Sequence, residues 1–89
     1  MIYNKTKIEG VLIIQPEAHF DNRGYFLETY NSIKYSDIIT DINFVQDNES
    51  SSNKGVLRGL HYQHPPFDQS KLIKCTQGKI LDVILDLRK

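Results

Sequence analysis

The feature that most constrains the fold is a strict alternation of side chains in the last part of the chain. One face of this segment carries Leu81, Val83, Leu85 and Leu87, and the other carries Ile80, Asp82, Ile84 and Asp86. Because successive side chains of a strand point to opposite faces, the pattern predicts a strand over residues 79–87 with one face in a core. Residues 71–75 and a turn at 76–78 predict the other strand of a hairpin.

The rest of the chain also predicts strands more than helices. Strands are expected at residues 11–14, ended by Pro16, at residues 25–30, after a turn at 21–24, and from Phe44 onward. A short helix capped by Asn31 or Ser32 would place Tyr35, Ile38 and Ile39 on one side. No longer helix, internal repeat or low-complexity segment follows, so the predicted class is all-β, as a sandwich or small barrel.

Composition limits the function classes. A chain of 89 residues is at most one domain, and eleven basic side chains balance eleven acidic ones, so net charge favours neither nucleic acid nor an anionic membrane as partner. The longest aliphatic run, residues 11–14, is too short for a membrane span or a secretion signal, which predicts a cytoplasmic location. The single cysteine, Cys75, is expected to be a small core residue in a reducing compartment.

Residues 55–63 concentrate polar chemistry within an apolar, strand-like segment. Val56, Leu57, Leu60 and Tyr62 favour a pleated backbone, but Arg58 and His61 interrupt them. These two residues are three positions apart, so a regular strand would send them to opposite faces. A bulge at Gly59 would correct this, and we therefore predict a local irregularity there.

The residue types in and around this segment favour acid–base chemistry. His61 as a base, Lys71 as a cation, and Arg58 and Arg23 as anion ligands suit proton abstraction beside a carbonyl. Glu28 shares a strand face with Phe26, where a carboxylate is expected only if that face borders a cleft.

Each of these residues also has an ordinary structural alternative. His61 can be a hydrogen-bonded core histidine, Arg23 and Lys71 solvated surface charges, and Glu28 the structural partner of an arginine. A metal site is not expected, because position 63 is glutamine and His64 lies at an awkward strand offset from His61. His19 stands alone and is expected at the surface.

Several ordered blocks of the sequence resemble one enzyme family. Residues 20–28, 44–50, 55–63 and 69–73, together with 78–83, closely resemble dTDP-4-dehydrorhamnose 3,5-epimerases. The resemblance covers nearly the whole chain, but only about the first half of what the family usually contains. It implies that residues 1–89 are the N-terminal part of a single cupin-type jelly roll, a double-stranded β-helix that is incomplete in this chain.

The resemblance also implies an activity and a set of roles. The family inverts C3 and C5 of a 4-keto-6-deoxy dTDP-sugar in dTDP-rhamnose biosynthesis, without metal or other cofactor, and normally as a homodimer. By the match, His61 abstracts the proton and Lys71 stabilises the enolate oxygen at C4. The positions expected to contact the sugar and diphosphate are Arg23, Glu28, Gln46, Asn48 and Arg58.

Two members of the family's catalytic set lie beyond these blocks. They are the tyrosine that returns a proton from the opposite face and the aspartate that orients the histidine, so residues 1–89 alone are expected to have little or no activity. Related enzymes perform a single epimerisation or a 3,4-ketoisomerisation on the same substrate class. A non-catalytic remnant that binds a nucleotide sugar is the alternative from a different class.

Overall fold

The computed structural model describes residues 1–88, and its regular structure is confined to the first 36 of them. In chain order the elements are β1 (Ile2–Lys5), β2 (Leu12–Gln15), β3 (Ala18–Asp21), β4 (Gly24–Leu27) and α1 (Ser32–Ser36). Strands outnumber helices, so the all-β class is confirmed. We refer to residues 1–44 as the hairpin region and to residues 45–88 as the extended region.

Two antiparallel hairpins make up the sheets of the hairpin region. β1 pairs with β2 from Ile2 opposite Gln15 to Lys5 opposite Leu12. In the connection, the Thr6 hydroxyl donates to the Val11 carbonyl at 2.8 Å and so holds the two strand ends together. The strand predicted at residues 11–14 is present, and β2 ends directly before Pro16, which has no N–H for a ladder.

The second hairpin turns through only two residues, Asn22 and Arg23. β3 pairs with β4 from Ala18 opposite Leu27 to Asp21 opposite Gly24. The Asp21 carboxylate accepts a 2.8 Å hydrogen bond from the Arg23 backbone N–H, and Gly24 adopts a φ of 131° that disfavours other residues. The turn predicted at 21–24 is confirmed, although the strand ends at Leu27 and does not reach Tyr30.

The predicted short helix is also present. The Asn31 side chain accepts from the Ile33 and Lys34 backbone N–H groups, which makes it the N-cap. Tyr35 is buried at 5 % exposure as expected, but the helix ends at Ser36, so the half-buried Ile38 and Ile39 lie beyond it.

An aromatic cluster of Tyr30, Tyr35 and Phe44 packs around this helix. The Tyr30 ring centroid lies 5.1 Å from that of Tyr35 and 5.6 Å from that of Phe44. The Tyr35 hydroxyl donates to the Thr29 carbonyl at 3.1 Å, which satisfies the polar end of this buried side chain.

The extended region differs from the sequence expectations. The strand predicted from Phe44, the strand-like segment 55–63 and the hairpin of residues 71–75 and 79–87 contain no ladder, although the chain bends at 76–78 as expected. The apolar face has little cover, because Leu81, Val83, Leu85 and Leu87 are 58–91 % exposed. Cys75, expected in a core, is also exposed, with Sγ 3.2 Å from the Gln77 carbonyl.

Gly59 shows the predicted irregularity in a different form. Its φ is 110°, a conformation that favours glycine. There is no ladder around it, so the irregularity is one of backbone conformation and not a bulge.

These differences make the described chain extended for its length. Its Cα radius of gyration is 15.2 Å, whereas a compact chain of this size would have about 12 Å. Its accessible surface is 9175 Å², against roughly 5,400 Å² for a compact protein of this mass.

Candidate functional site

One predicted site residue, Glu28, lies at a depression in the hairpin region. A depression of about 180 Å³ is lined by Met1, Pro16, Glu17, His19, Phe26, Glu28, Lys34 and Tyr35. Phe26 and Glu28 were expected to share a face, and that face does border a depression. The volume is below the roughly 300–1,000 Å³ typical of sites for drug-sized ligands, so these residues form at most part of a larger site.

Glu28 is held in place by two neighbours. Its carboxylate forms an ion pair with Lys34 at 3.1 Å, between the end of β4 and helix α1. Hydrogen bonds from Lys34 and then from the Asn31 side chain lower the pKa of Glu28 below its ordinary value. Asn31 therefore caps the helix and also lowers the pKa of the carboxylate, so Glu28 interacts with the first turn of helix α1 through both Asn31 and Lys34.

The Glu28 charge also affects the buried tyrosine behind it. Burial raises the pKa of Tyr35 above its ordinary value, and the negative charge of Glu28 raises it further. Tyr35 therefore stays neutral at physiological pH and serves as a structural wall of the depression.

His19 and Lys34 are the lining residues that sequence reasoning did not select. His19 is exposed as expected, but it pairs in register with Phe26 across the second hairpin. The pairing of His19 with Phe26 in the hairpin register would have placed His19 at the depression. No strand or helix spacing connects Lys34 to Glu28, because the two lie on different elements.

Arg23 lies at the tip of the second hairpin, beside an open depression formed with Asp21 and Asn22. Its Nη2 atom is 2.6 Å from the Asp21 carboxylate, and its Nε atom is 3.3 Å from the same oxygen. The Arg23 guanidinium lowers the pKa of Asp21 and its own pKa is raised in return. The positive charge of Arg23 is therefore balanced locally.

Arg58 has a different environment in the extended region. Its Nε atom donates to the Ser52 hydroxyl at 2.8 Å, and Nη2 donates to the Ser51 carbonyl at 3.1 Å. Within residues 1–88, no carboxylate lies within ion-pair distance of it. Both of its partners are neutral, so its charge remains available to an anion.

The remaining predicted residues are exposed in the extended region. They are Gln46, Asn48, His61 and Lys71. Among the described residues, no hydrogen bond or ion pair joins His61, Lys71 and Arg58 to one another. A Cβ added at Gly59 would lie 3.7 Å from His61 Nδ1, in ordinary van der Waals contact.

Two further structural properties bear on the class of protein. Within residues 1–88, no helix has the length and apolar character that a membrane span requires. In the same residues, no three His, Cys, Asp or Glu side chains come close enough together to hold a metal ion.

Comparison with known proteins assigns the family. Residues 5–89 match the family described as dTDP-4-dehydrorhamnose 3,5-epimerase. The chain belongs to this family. No solved structure gives a significant match.

Individual relatives give the same picture. The chain is 48 % identical over 86 residues to the dTDP-4-dehydrorhamnose 3,5-epimerase of Shigella flexneri, covering 96 % of this chain and 48 % of the relative. It is 49 % identical over 85 residues to the enzyme of that name from Methanothermobacter thermautotrophicus, covering 96 % and 45 %. A dTDP-4-dehydrorhamnose 3-epimerase of Streptomyces niveus is 40 % identical over 82 residues, covering 91 % and 40 %. The chain thus spans about half the length of the 3,5-epimerases it matches.

Proposed function

We propose that the protein containing this chain epimerises C3 and C5 of dTDP-4-dehydro-6-deoxy-glucose to give dTDP-4-dehydro-L-rhamnose. The observation that carries the proposal is identity of 48–49 % with curated 3,5-epimerases over 96 % of the chain. It is an isomerase reaction that needs no cofactor, because the keto group at C4 already acidifies the protons on both neighbouring carbons.

In this proposal His61 is the base that removes the proton beside the C4 ketone. The charge released by proton removal collects on the C4 oxygen as an enolate. Lys71 stabilises that oxygen, because a fixed cation lowers the energy of a developing negative charge more than that of the neutral ketone. Reprotonation from the opposite face then inverts the carbon.

The polar residues around these two hold the substrate. Arg58 binds the diphosphate, for which a guanidinium is suited by its fixed fork of donors. The exposed, uncompensated guanidinium of Arg58 supports this role. Sugar and nucleotide contacts are assigned to Arg23, Glu28, Gln46 and Asn48.

The proposal includes the fold and assembly of the whole protein. Residues 1–89 are the N-terminal part of one cupin-type jelly roll, and the protein is a cytoplasmic homodimer. The alternating apolar face of residues 79–87 supports a jelly roll, because a second sheet would cover that face.

Deuterium incorporation tests the reaction. The purified gene product is incubated with the 4-keto dTDP-sugar in heavy water, and the exchanged carbons are counted by NMR. Deuterium at both C3 and C5 is expected. A product with deuterium at neither carbon would refute epimerisation.

A single epimerisation at C3 is the second candidate. It is favoured by the 40 % identity with the 3-epimerase of Streptomyces niveus. In the same experiment it would give deuterium at C3 only.

A further inference from the structure

A tight turn brings the chain back on itself just before the candidate catalytic segment. The Val56 backbone N–H donates to the Asn53 carbonyl at 3.2 Å, and Gly55 has a φ of 87°. A turn of this kind requires a positive φ at its third residue, which glycine adopts without strain. The turn places Arg58 beside the serines that precede it.

The two serines occupy one edge of the Arg58 guanidinium. The Nε–H and one N–H of Nη2 point along the same side of the group. The Ser52 hydroxyl accepts the first, and the Ser51 carbonyl accepts the second. Among residues 1–88, nothing accepts from Nη1, so the adjacent edge, formed by Nη1 and the other N–H of Nη2, is free.

Arg58 is therefore oriented by its neighbours, while its positive charge and its remaining N–H donors have no partner among residues 1–88. A guanidinium has five donors, and a phosphate is bound best by two parallel hydrogen bonds from one edge. Arg23 is the contrast, since Asp21 accepts from its Nε and Nη2 and also neutralises its charge. Neutral oxygens fix the Arg58 group without reducing its attraction for an anion.

We propose that Ser52 is a positioning residue that presents the free edge of Arg58 to the diphosphate of the nucleotide. The inference rests on the proposed function and adds a residue to it. Ser52 acts through Arg58, whose long side chain would otherwise sample many rotamers and lose that freedom on binding.

The test is the binding of dTDP, with thymidine as the matched ligand that lacks phosphate. Titration calorimetry is run on the purified gene product and on Ser52→Ala, Ser52→Thr and Ser50→Ala variants. Ser50 is an exposed serine of the same loop and serves as the control.

The Ser52→Ala change is expected to weaken dTDP binding about fivefold, as loss of one hydrogen bond would. Thymidine binding should not change, and Ser52→Thr, which keeps the hydroxyl, should restore dTDP binding. In turnover assays, KM should rise by the same factor while kcat stays within about twofold, because the interaction is present in ground and transition states alike.

Three results would overturn the inference. They are dTDP binding by Ser52→Ala that equals that of Ser50→Ala, an equal weakening of thymidine binding, and a failure of Ser52→Thr to restore dTDP binding. A native protein that binds no dTDP would instead refute the proposed function, and the inference with it. The two failures are distinguishable, because only the second affects the unsubstituted protein.

Discussion

The hairpin region contains the regular secondary structure, whereas the extended region contains the proposed catalytic residues. Residues 1–44 contain the four strands, the helix and the buried Tyr35. Residues 45–88 contain no described strand, but they carry the proposed base His61, the proposed cation Lys71 and the uncompensated Arg58.

The two regions differ in the sequence separation between the residues that stabilise each element. Both hairpins close through short connections, and helix α1 is capped by the residue just before it, so these elements form from local contacts. Residues 79–87 need a second layer to cover an apolar face, and such contacts are distant in sequence. The proposed catalytic residues thus lie on segments whose geometry depends on distant partners.

The largest expected effect is the loss of activity on substitution of His61. It tests whether the extended region contains the catalytic base. A His61→Asn change should lower kcat about 10³-fold, as removal of a general base commonly does. His64→Asn is the matched control, since His64 is also exposed and lies three residues away. The measurement is the rate of deuterium exchange. If both variants lost the same fraction of the exchange rate, His61 would not be the specific base.

The next effect concerns stability and tests whether the hairpin region holds its own packing. A Tyr35→Ala change should lower the free energy of unfolding by about 3 kcal/mol, because it removes a buried ring from the aromatic cluster. A Tyr35→Phe change should cost about 1 kcal/mol through loss of the hydrogen bond to Thr29. Urea denaturation measures both.

The control for this prediction is Ile33→Ala on the same helix. Ile33 is 77 % exposed, so its truncation should change stability by less than about 0.5 kcal/mol. A loss at Ile33 as large as that at Tyr35 would mean that this helix face is covered in the whole protein.

Local signals in the sequence predicted part of the hairpin region, but they missed β1 (Ile2–Lys5) and β3 (Ala18–Asp21). Pro16 ended a strand, residues 21–24 formed a turn, and Asn31 capped a helix, because each depends on the chemistry of adjacent residues. The face shared by Phe26 and Glu28 was also predictable from strand periodicity, and it borders the depression.

Signals that depend on distant contacts did not predict the extended region. The alternation of residues 79–87 predicts a covered face, but periodicity does not say which residues provide the cover, and the side chains of that face are 58–91 % exposed among residues 1–88. The pairing of Glu28 with Lys34 was likewise not predictable, because it joins a strand end to a helix. The roles of the seven candidate site residues stay predictions.

The two arginines allow the comparison to be tested with one ligand. Arg58→Ala should weaken dTDP binding about 10- to 100-fold, the range for hydrogen bonds to charged groups. Arg23→Ala should have a smaller effect, about threefold or less, because Asp21 already compensates that charge. Titration calorimetry at fixed ionic strength measures both.

An Asp21→Asn variant sharpens this test. It removes the compensating charge, so subsequent removal of Arg23 should then cost more dTDP affinity than it does beside Asp21. An Arg23→Ala loss equal to that of Arg58→Ala in the unsubstituted background would show that pairing with Asp21 does not restrain Arg23.

The smallest effect is a pH dependence in the hairpin region. The pKa of Glu28 lies below its ordinary value of 4.5, so the folded state favours the charged carboxylate. The stabilisation from this group is therefore present above pH 4.5 and is lost as the pH falls through the lowered pKa. NMR titration of the Glu28 side-chain carboxyl carbon measures the value directly.

Lys34→Met is the decisive variant for this pH dependence, because it keeps an unbranched side chain of similar length and removes the charge. It should raise the pKa of Glu28 toward 4.5 while leaving the weaker contribution of Asn31 in place. Molar salt should act in the same direction on the native protein, since both partners are substantially exposed and their attraction is screened. A Glu28 pKa that is insensitive to both changes would mean that Asn31 and the helix cap orient this carboxylate without Lys34.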